Sequence, residues 1–177
     1  LGSVGTWYML PEMMCWFRGL LEHRPEAHFA FVTGEPESMM LEEADRAGVP
    51  RDRIRVGRAP YEYVPSHLAM ADLGIFFIKP VFSKQASSPV KMGEMMGMGL
   101  PLVCNRGVGD VDAILEETDA GMAVDALDAD TWTASYQSLD ALLAKDPNAI
   151  RSGAFAWYAL DAGVDTYQDV YRTLLAG

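Results

Sequence analysis

Apolar residues recur at Leu10, Met13, Met14, Phe17, Leu20 and Leu21, the spacing of one helical face, and predict a helix over 7–23. Pro11 fits only a first helical turn, which moves the expected start towards Leu10. The pattern then changes. "AHFAFVTG" (27–34) is a short apolar strand stopped by Gly34, and an acidic amphipathic helix follows over 36–47 with Gly48 as its cap. Residues 53–59 read as a second strand, and "YVPSHLAMA" as a short helix with Pro65 in its first turn and Leu68 turned inward. Residues 73–78 and "LPLVCN" (100–105) are apolar runs without alternation, as expected of strands buried on both faces of a parallel sheet. "GMAVDA" (121–126) is a weaker strand, and 128–175 read as helices. Strands alternating with helices predict βαβ units: one α/β domain with a doubly wound, Rossmann-like parallel sheet and helices on both faces.

Composition narrows the classes of function. The chain has 177 residues, half of them apolar and 22% charged, which suits a single domain with one core. Its net charge of −11, from 14 basic and 25 acidic side chains, argues against nucleic acid as a partner but leaves room for a small phosphate pocket. No apolar run approaches the roughly 20 residues needed to cross a bilayer, and no signal peptide opens the chain. Cys15 and Cys104 lack metal-type spacing and read as reduced thiols of a cytoplasmic domain, while His23, His28 and His67 are scattered. Leu1 and Gly2 lead straight into a turn with no room for a preceding strand, so the expectation is a fragment cut near the start of a domain.

In open α/β sheets ligands collect at the carboxyl ends of the strands, which singles out the loops 2–6, 57–61 and 79–89. Gly2, Ser3 and Gly5 before a helix resemble a phosphate cradle, and equally form a plain turn. In the third loop Ser87 and Ser88 precede Pro89, and the expectation is Ser88 as helix cap with Pro89 at the first helical position. Lys91 and Glu94 then share one face of the first turns. They read either as a surface ion pair or as a phosphate-facing cation beside an acceptor carboxylate, since a lysine at the positive helix end is unfavourable without an anion. Gly93, Gly97 and Gly99 weaken this helix, which is explained by close approach of a ligand or by tight packing. Met95, Met96 and Met98 read as core filling. Residues 105–110 form a further glycine-bearing loop, with Asp110 a possible cap for the next helix.

"SSPVKMGEMMGMGLPLVCNRGVGD" resembles the donor-site segment of retaining GT-B glycosyltransferases of family 4, whose members often read Ser-Pro-x-Lys-x-x-Glu before Gly-Leu-Pro-Val-Val. "GSVGTWY" is similar to the first glycine turn of their C-terminal domain, and "TYQDVYRTLL" to its closing helix. The resemblance covers essentially the whole chain. It implies that residues 1–177 are the C-terminal half, that a nucleotide-diphospho-sugar is the donor, and that the N-terminal, acceptor-binding half is absent. It further implies no cofactor or bound metal, and membrane contact only through the other half. Glu94 would accept hydrogen bonds from the ribose hydroxyls, with Ser87, Ser88 and Pro89 at the diphosphate. Arg58, Lys84 and Lys91 would supply charge, with Gly2, Ser3 and Gly5 at the first turn.

Two positions depart from the family. Its first glutamate would fall at position 86, where this chain has Ala86, and "GSVGTWY" carries no cation. No catalytic residue is assigned, and no carboxylate pair suits a glycoside hydrolase. Two other readings share the architecture: one half of a nucleotide-sugar epimerase, and a flavodoxin-like interaction domain without catalysis.

Overall fold

The computed structural model describes residues 1–125 and 128–175. Its strands are β1 (Phe29–Val32), β2 (Ile54–Gly57), β3 (Gly74–Phe76), β4 (Leu102–Asn105) and β5 (Gly121–Val124). The helices are α1 (Leu10–His23), α2 (Glu37–Ala47), α3 (Val64–Leu68), α4 (Val90–Gly97), α5 (Val111–Thr118), α6 (Ala129–Gln137), α7 (Leu139–Leu143), α8 (Pro147–Tyr158) and α9 (Leu160–Leu175). The strands expected from the sequence are all present but shorter, and Ala126, the end of the last one, lies outside the described residues.

Local chemistry sets several boundaries. Pro11 occupies the first turn of α1, which starts at Leu10. Gly48 ends α2 in the left-handed region (φ 72°), its N–H returning to the carbonyls of Ala44 and Asp45. One boundary corrects the sequence reading. Pro89, not Ser88, is the N-cap of α4, with extended backbone (φ −70°, ψ 107°) and no side-chain cap, so the helix begins at Val90. Asp110 likewise precedes α5 without capping it. Asp112 is the carboxylate that receives a loop amide, from Gly107 N–H at 2.9 Å.

The five strands pair in parallel, but the single sheet expected is two. β1 pairs with β2 from Phe29↔Ile54 to Val32↔Gly57; β3 pairs with β4, and β4 with β5. The break falls between β1 and β3. Residues 2–9 close one end of it: Gly2 N–H donates to Val32 O at 2.8 Å, Met9 N–H to Phe77 O at 2.9 Å, and Lys79 N–H to Trp7 O at 2.9 Å. An apolar run specifies a strand's burial, not its neighbour, so the sequence pattern is silent about the break.

One hydrophobic layer spans the break. Leu10, Met13, Met14, Trp16 and Phe17 of α1 pack over Phe31 and Ile54 on one side and Phe77, Val103 and Val124 on the other. On the opposite face Met92, Met95 and Met96 of α4 pack with Ile114, Ile150 and Ala154 around Phe76, Leu102 and Cys104. Each fully buried methionine stabilises the fold by about 1.5–3 kcal/mol, which is why a helix carrying Gly93 and Gly97 persists. Helices on both faces make the domain doubly wound, as expected. α9 stands apart: it has no buried residue.

Candidate functional site

The loops after β1, β2, β3 and β4 and the turn before α1 share the carboxyl edge of the strands. The turn at 2–6 is tightly self-bonded. Gly2 has φ +75°, a conformation suited to glycine, and its amide is used on Val32. The Gly5 amide reaches Ser3 Oγ at 3.3 Å, and Ser3 Oγ donates to Glu35 Oε1 at 3.0 Å. A carboxylate therefore lies across the turn that the sequence marked as a phosphate cradle, and neither glycine amide is left for an anion. Arg58, after β2, is exposed and donates from Nη2 to Gly34 O at 2.5 Å.

The segment between β3 and α4 comes down onto this turn. Lys84 Nζ lies 4.8 Å from the Trp7 ring centroid, and Lys91 Nζ 3.5 Å from that of Tyr8 and 3.4 Å from Ser3 O. Lys91 does not form the ion pair with Glu94 that the spacing allowed. Burial pulls its pKa down to about 8, with the Glu94 charge opposing that shift. Glu94 is half-buried, and among the described residues no hydrogen bond or ion pair engages its carboxylate. Ser3, Lys91 and Glu94 are thus brought together, with Lys84 over the Trp7 ring of the same turn; Arg58 reaches Gly34, next to the Glu35 that receives Ser3.

Ser87, Ser88 and Pro89 form the other wall of the helix start, where the first N–H groups of α4 have no partner within the helix. Three residues brace the surrounding backbone. Asn105, 2% exposed, takes the Ile78 N–H on Oδ1 at 2.7 Å and donates from Nδ2 to Ile78 O at 2.8 Å, so its side chain substitutes for strand pairing where β3 leaves β4. Gly109 has φ +45°, and a Cβ there would sit 1.5 Å from Ser87 O. Gly93 faces Tyr158, whose Cγ would lie 2.6 Å from a Cβ at 93. Packing, not ligand approach, explains that helical glycine. The packing alternative for Gly93 was visible in the sequence; the role of Asn105 was not.

Two hollows lie away from these residues: about 720 Å³ along α8 and α9, and about 380 Å³ where Asp72, Pro101 and Arg151 meet. Among the described residues no cluster of metal-ligating side chains occurs, and no helix is long and apolar enough to cross a membrane.

Parallel strands with helices on both faces match one half of a GT-B glycosyltransferase fold. Residues 15–141, more than two thirds of the chain, match the model of the family "Glycosyl transferases group 1", and the chain belongs to that family. Solved structures agree on the fold. AviGT4, a glycosyltransferase involved in avilamycin A biosynthesis, is 18% identical with a TM-score of 0.72, over 100% of this chain and 50% of its own. The sucrose-phosphate synthase of Thermosynechococcus elongatus is 16% identical (TM-score 0.72; 94% of this chain, 43% of its own). The pneumococcal O-GlcNAc transferase GtfA, solved with UDP and GlcNAc, is 12% identical (TM-score 0.72; 96% and 34%). The chain therefore spans half or less of each. No curated protein sequence matches it.

Proposed function

We propose that this chain is the C-terminal, donor-binding half of a retaining glycosyltransferase of family 4, which moves a hexosyl group from a nucleotide-diphospho-sugar to an acceptor hydroxyl. The observation that carries the reading is the unengaged Glu94 carboxylate, half-buried beside Lys91 at the start of α4, on the ligand edge of a group 1 glycosyltransferase domain. An ionised carboxylate accepts two hydroxyl hydrogen bonds at once, which suits the cis-diol of a ribose. Lys91 is protonated at neutral pH and stands in the first turn of α4, so a diphosphate at that helix start would meet a cation and helix N–H groups. No step of this chemistry uses a metal or cofactor.

The acceptor-binding half would lie outside this chain. Two observations support that part: the chain covers half or less of its structural neighbours, and α9 carries an uncovered apolar stripe of Leu160, Val164, Tyr167, Tyr171 and Leu174. Closure of two halves would exclude water from the cleft, and any membrane contact would come through the other half. Alone, this half binds donor weakly and turns nothing over.

A thermal-shift panel of UDP-, GDP-, ADP- and CDP-sugars tests the reading. One of them raises Tm at millimolar concentration, and Glu94→Ala abolishes the rise. Silence across the panel sinks the donor site.

A further inference from the structure

Tyr8 stands between the closed turn and the start of α4, and the backbone around it sets its place. Thr6 holds φ +54°, a left-handed conformation that a β-branched residue rarely adopts, and the chain leaves it to run antiparallel beside the end of β3. Tyr8 is bridged to Ile78, with Met9 N–H donating to Phe77 O and Lys79 N–H to Trp7 O, both at 2.9 Å. Ile78 is gripped by the Asn105 side-chain amide, at 2.7 and 2.8 Å. The tyrosine is thus anchored to the sheet. Over its ring lies Lys91 Nζ, 3.5 Å from the centroid, which also donates to Ser3 O at 3.4 Å. That ammonium belongs to the first turn of α4, where the positive helix end opposes it. A π face attracts the cation without cancelling its charge, as a carboxylate partner would. An ammonium has three donors, so one held by a single carbonyl and a ring keeps a donor for an anion.

We propose that Tyr8 is a positioning residue of the donor site: its ring holds the Lys91 ammonium in one place at the start of α4, where it meets the diphosphate of the donor. This rests on the donor-site reading above. A lysine free in solvent loses rotamer freedom when it grips a phosphate, and a ring that has already fixed the side chain removes that part of the binding cost. An ion pair with Glu94 would fix the lysine equally well, but it would neutralise the cation and occupy the carboxylate that the ribose requires. The ring keeps both charges available. It acts through its face, so its hydroxyl has no part in the effect.

The test is nucleotide affinity, with the tightest binder among UDP, GDP, ADP and CDP titrated calorimetrically into the 177-residue chain. Tyr8→Leu removes the ring and weakens binding about fivefold, the equivalent of about 1 kcal/mol; Tyr8→Met takes its place if that variant does not fold. Tyr8→Phe keeps the ring and binds within about twofold of the wild-type chain. In a Lys91→Met background Tyr8→Leu brings no further loss, because the cation it acts through is gone. A spectroscopic signature accompanies these affinities. In the unliganded wild-type chain the Lys91 ε-methylene proton resonances, assigned by their disappearance in Lys91→Met, are shifted upfield by the Tyr8 ring current, and Tyr8→Phe preserves that shift. Unchanged affinity without the ring, an equal loss in Tyr8→Phe, a full further loss in the Lys91→Met background, or ε-methylene resonances at their ordinary position overturns the role of Tyr8 while leaving the donor site standing. If the wild-type chain binds none of the four, the donor-site reading falls and the role of Tyr8 with it.

Discussion

Two turns on the same edge look alike in sequence and differ in structure. "GSVG" and "SSPV" each place small polar residues before a helix, the usual dress of a phosphate site. The first is closed: its amides at Gly2 and Gly5 are used internally, and Glu35 holds its serine. The second leads into the helix that bears Lys91 and Glu94; the Gly109 backbone lies against Ser87, and Tyr158 packs on Gly93 of that helix. Small residues before a helix therefore announce a turn; what the turn can bind depends on which partners the rest of the chain supplies.

The largest effect should come from the glycines. Gly109→Ala forces a Cβ against Ser87 O and lowers stability by about 3 kcal/mol or more, some 6–12 °C in Tm, and it eliminates the nucleotide-dependent thermal shift. Gly2→Ala has open space around it and costs only the left-handed strain of about 1–2 kcal/mol, with the shift retained. Equal damage at both sites would erase the distinction between the turns.

A pH series sharpens it further. Free Lys91 loses its proton as pH rises through about 8, against the burial that lowers it and the Glu94 charge that resists. A bound phosphate favours the ammonium and raises that pKa, so binding takes up a proton above pH 8. Affinity is full below about 8 and falls about tenfold by one unit above it, as calorimetry across buffers would show. Lys91→Met flattens this profile and weakens binding at pH 7. The same substitution raises the unliganded Tm, because a buried ammonium is removed. The smallest effect belongs to the closed turn: Glu35→Gln alters nucleotide affinity by less than about twofold if phosphate sits at the second turn only. A strong gain in affinity would place the phosphate at the first.

Elements were legible where one segment carries its own signal. Pro11, Gly48, the α1 stripe and the unbroken apolar runs each fixed a piece of the fold. Pairs distant in sequence were not. Gly93 is explained by Tyr158, Gly109 by Ser87, and Ser3 by Glu35, and no local pattern points from one to the other. Pro89 shows a subtler limit. Proline is compatible with both the cap and the first helical position, and only the fold's approach angle chooses between them. Lys91 and Glu94 were singled out together, either as an ion pair or as a cation beside an acceptor carboxylate, and the contact of Lys91 with the Tyr8 ring had no local signal.

The final helix has a practical corollary. Since α9 buries none of its side chains, it draws its order from a 16-residue segment alone, close to the length at which isolated helices become marginal in water. Brief digestion of the lone chain should clip it near Ala159 and leave a trimmed body that melts as before. Resistance of that peptide bond can then report, in any longer version of the protein, the moment at which the stripe finds its cover.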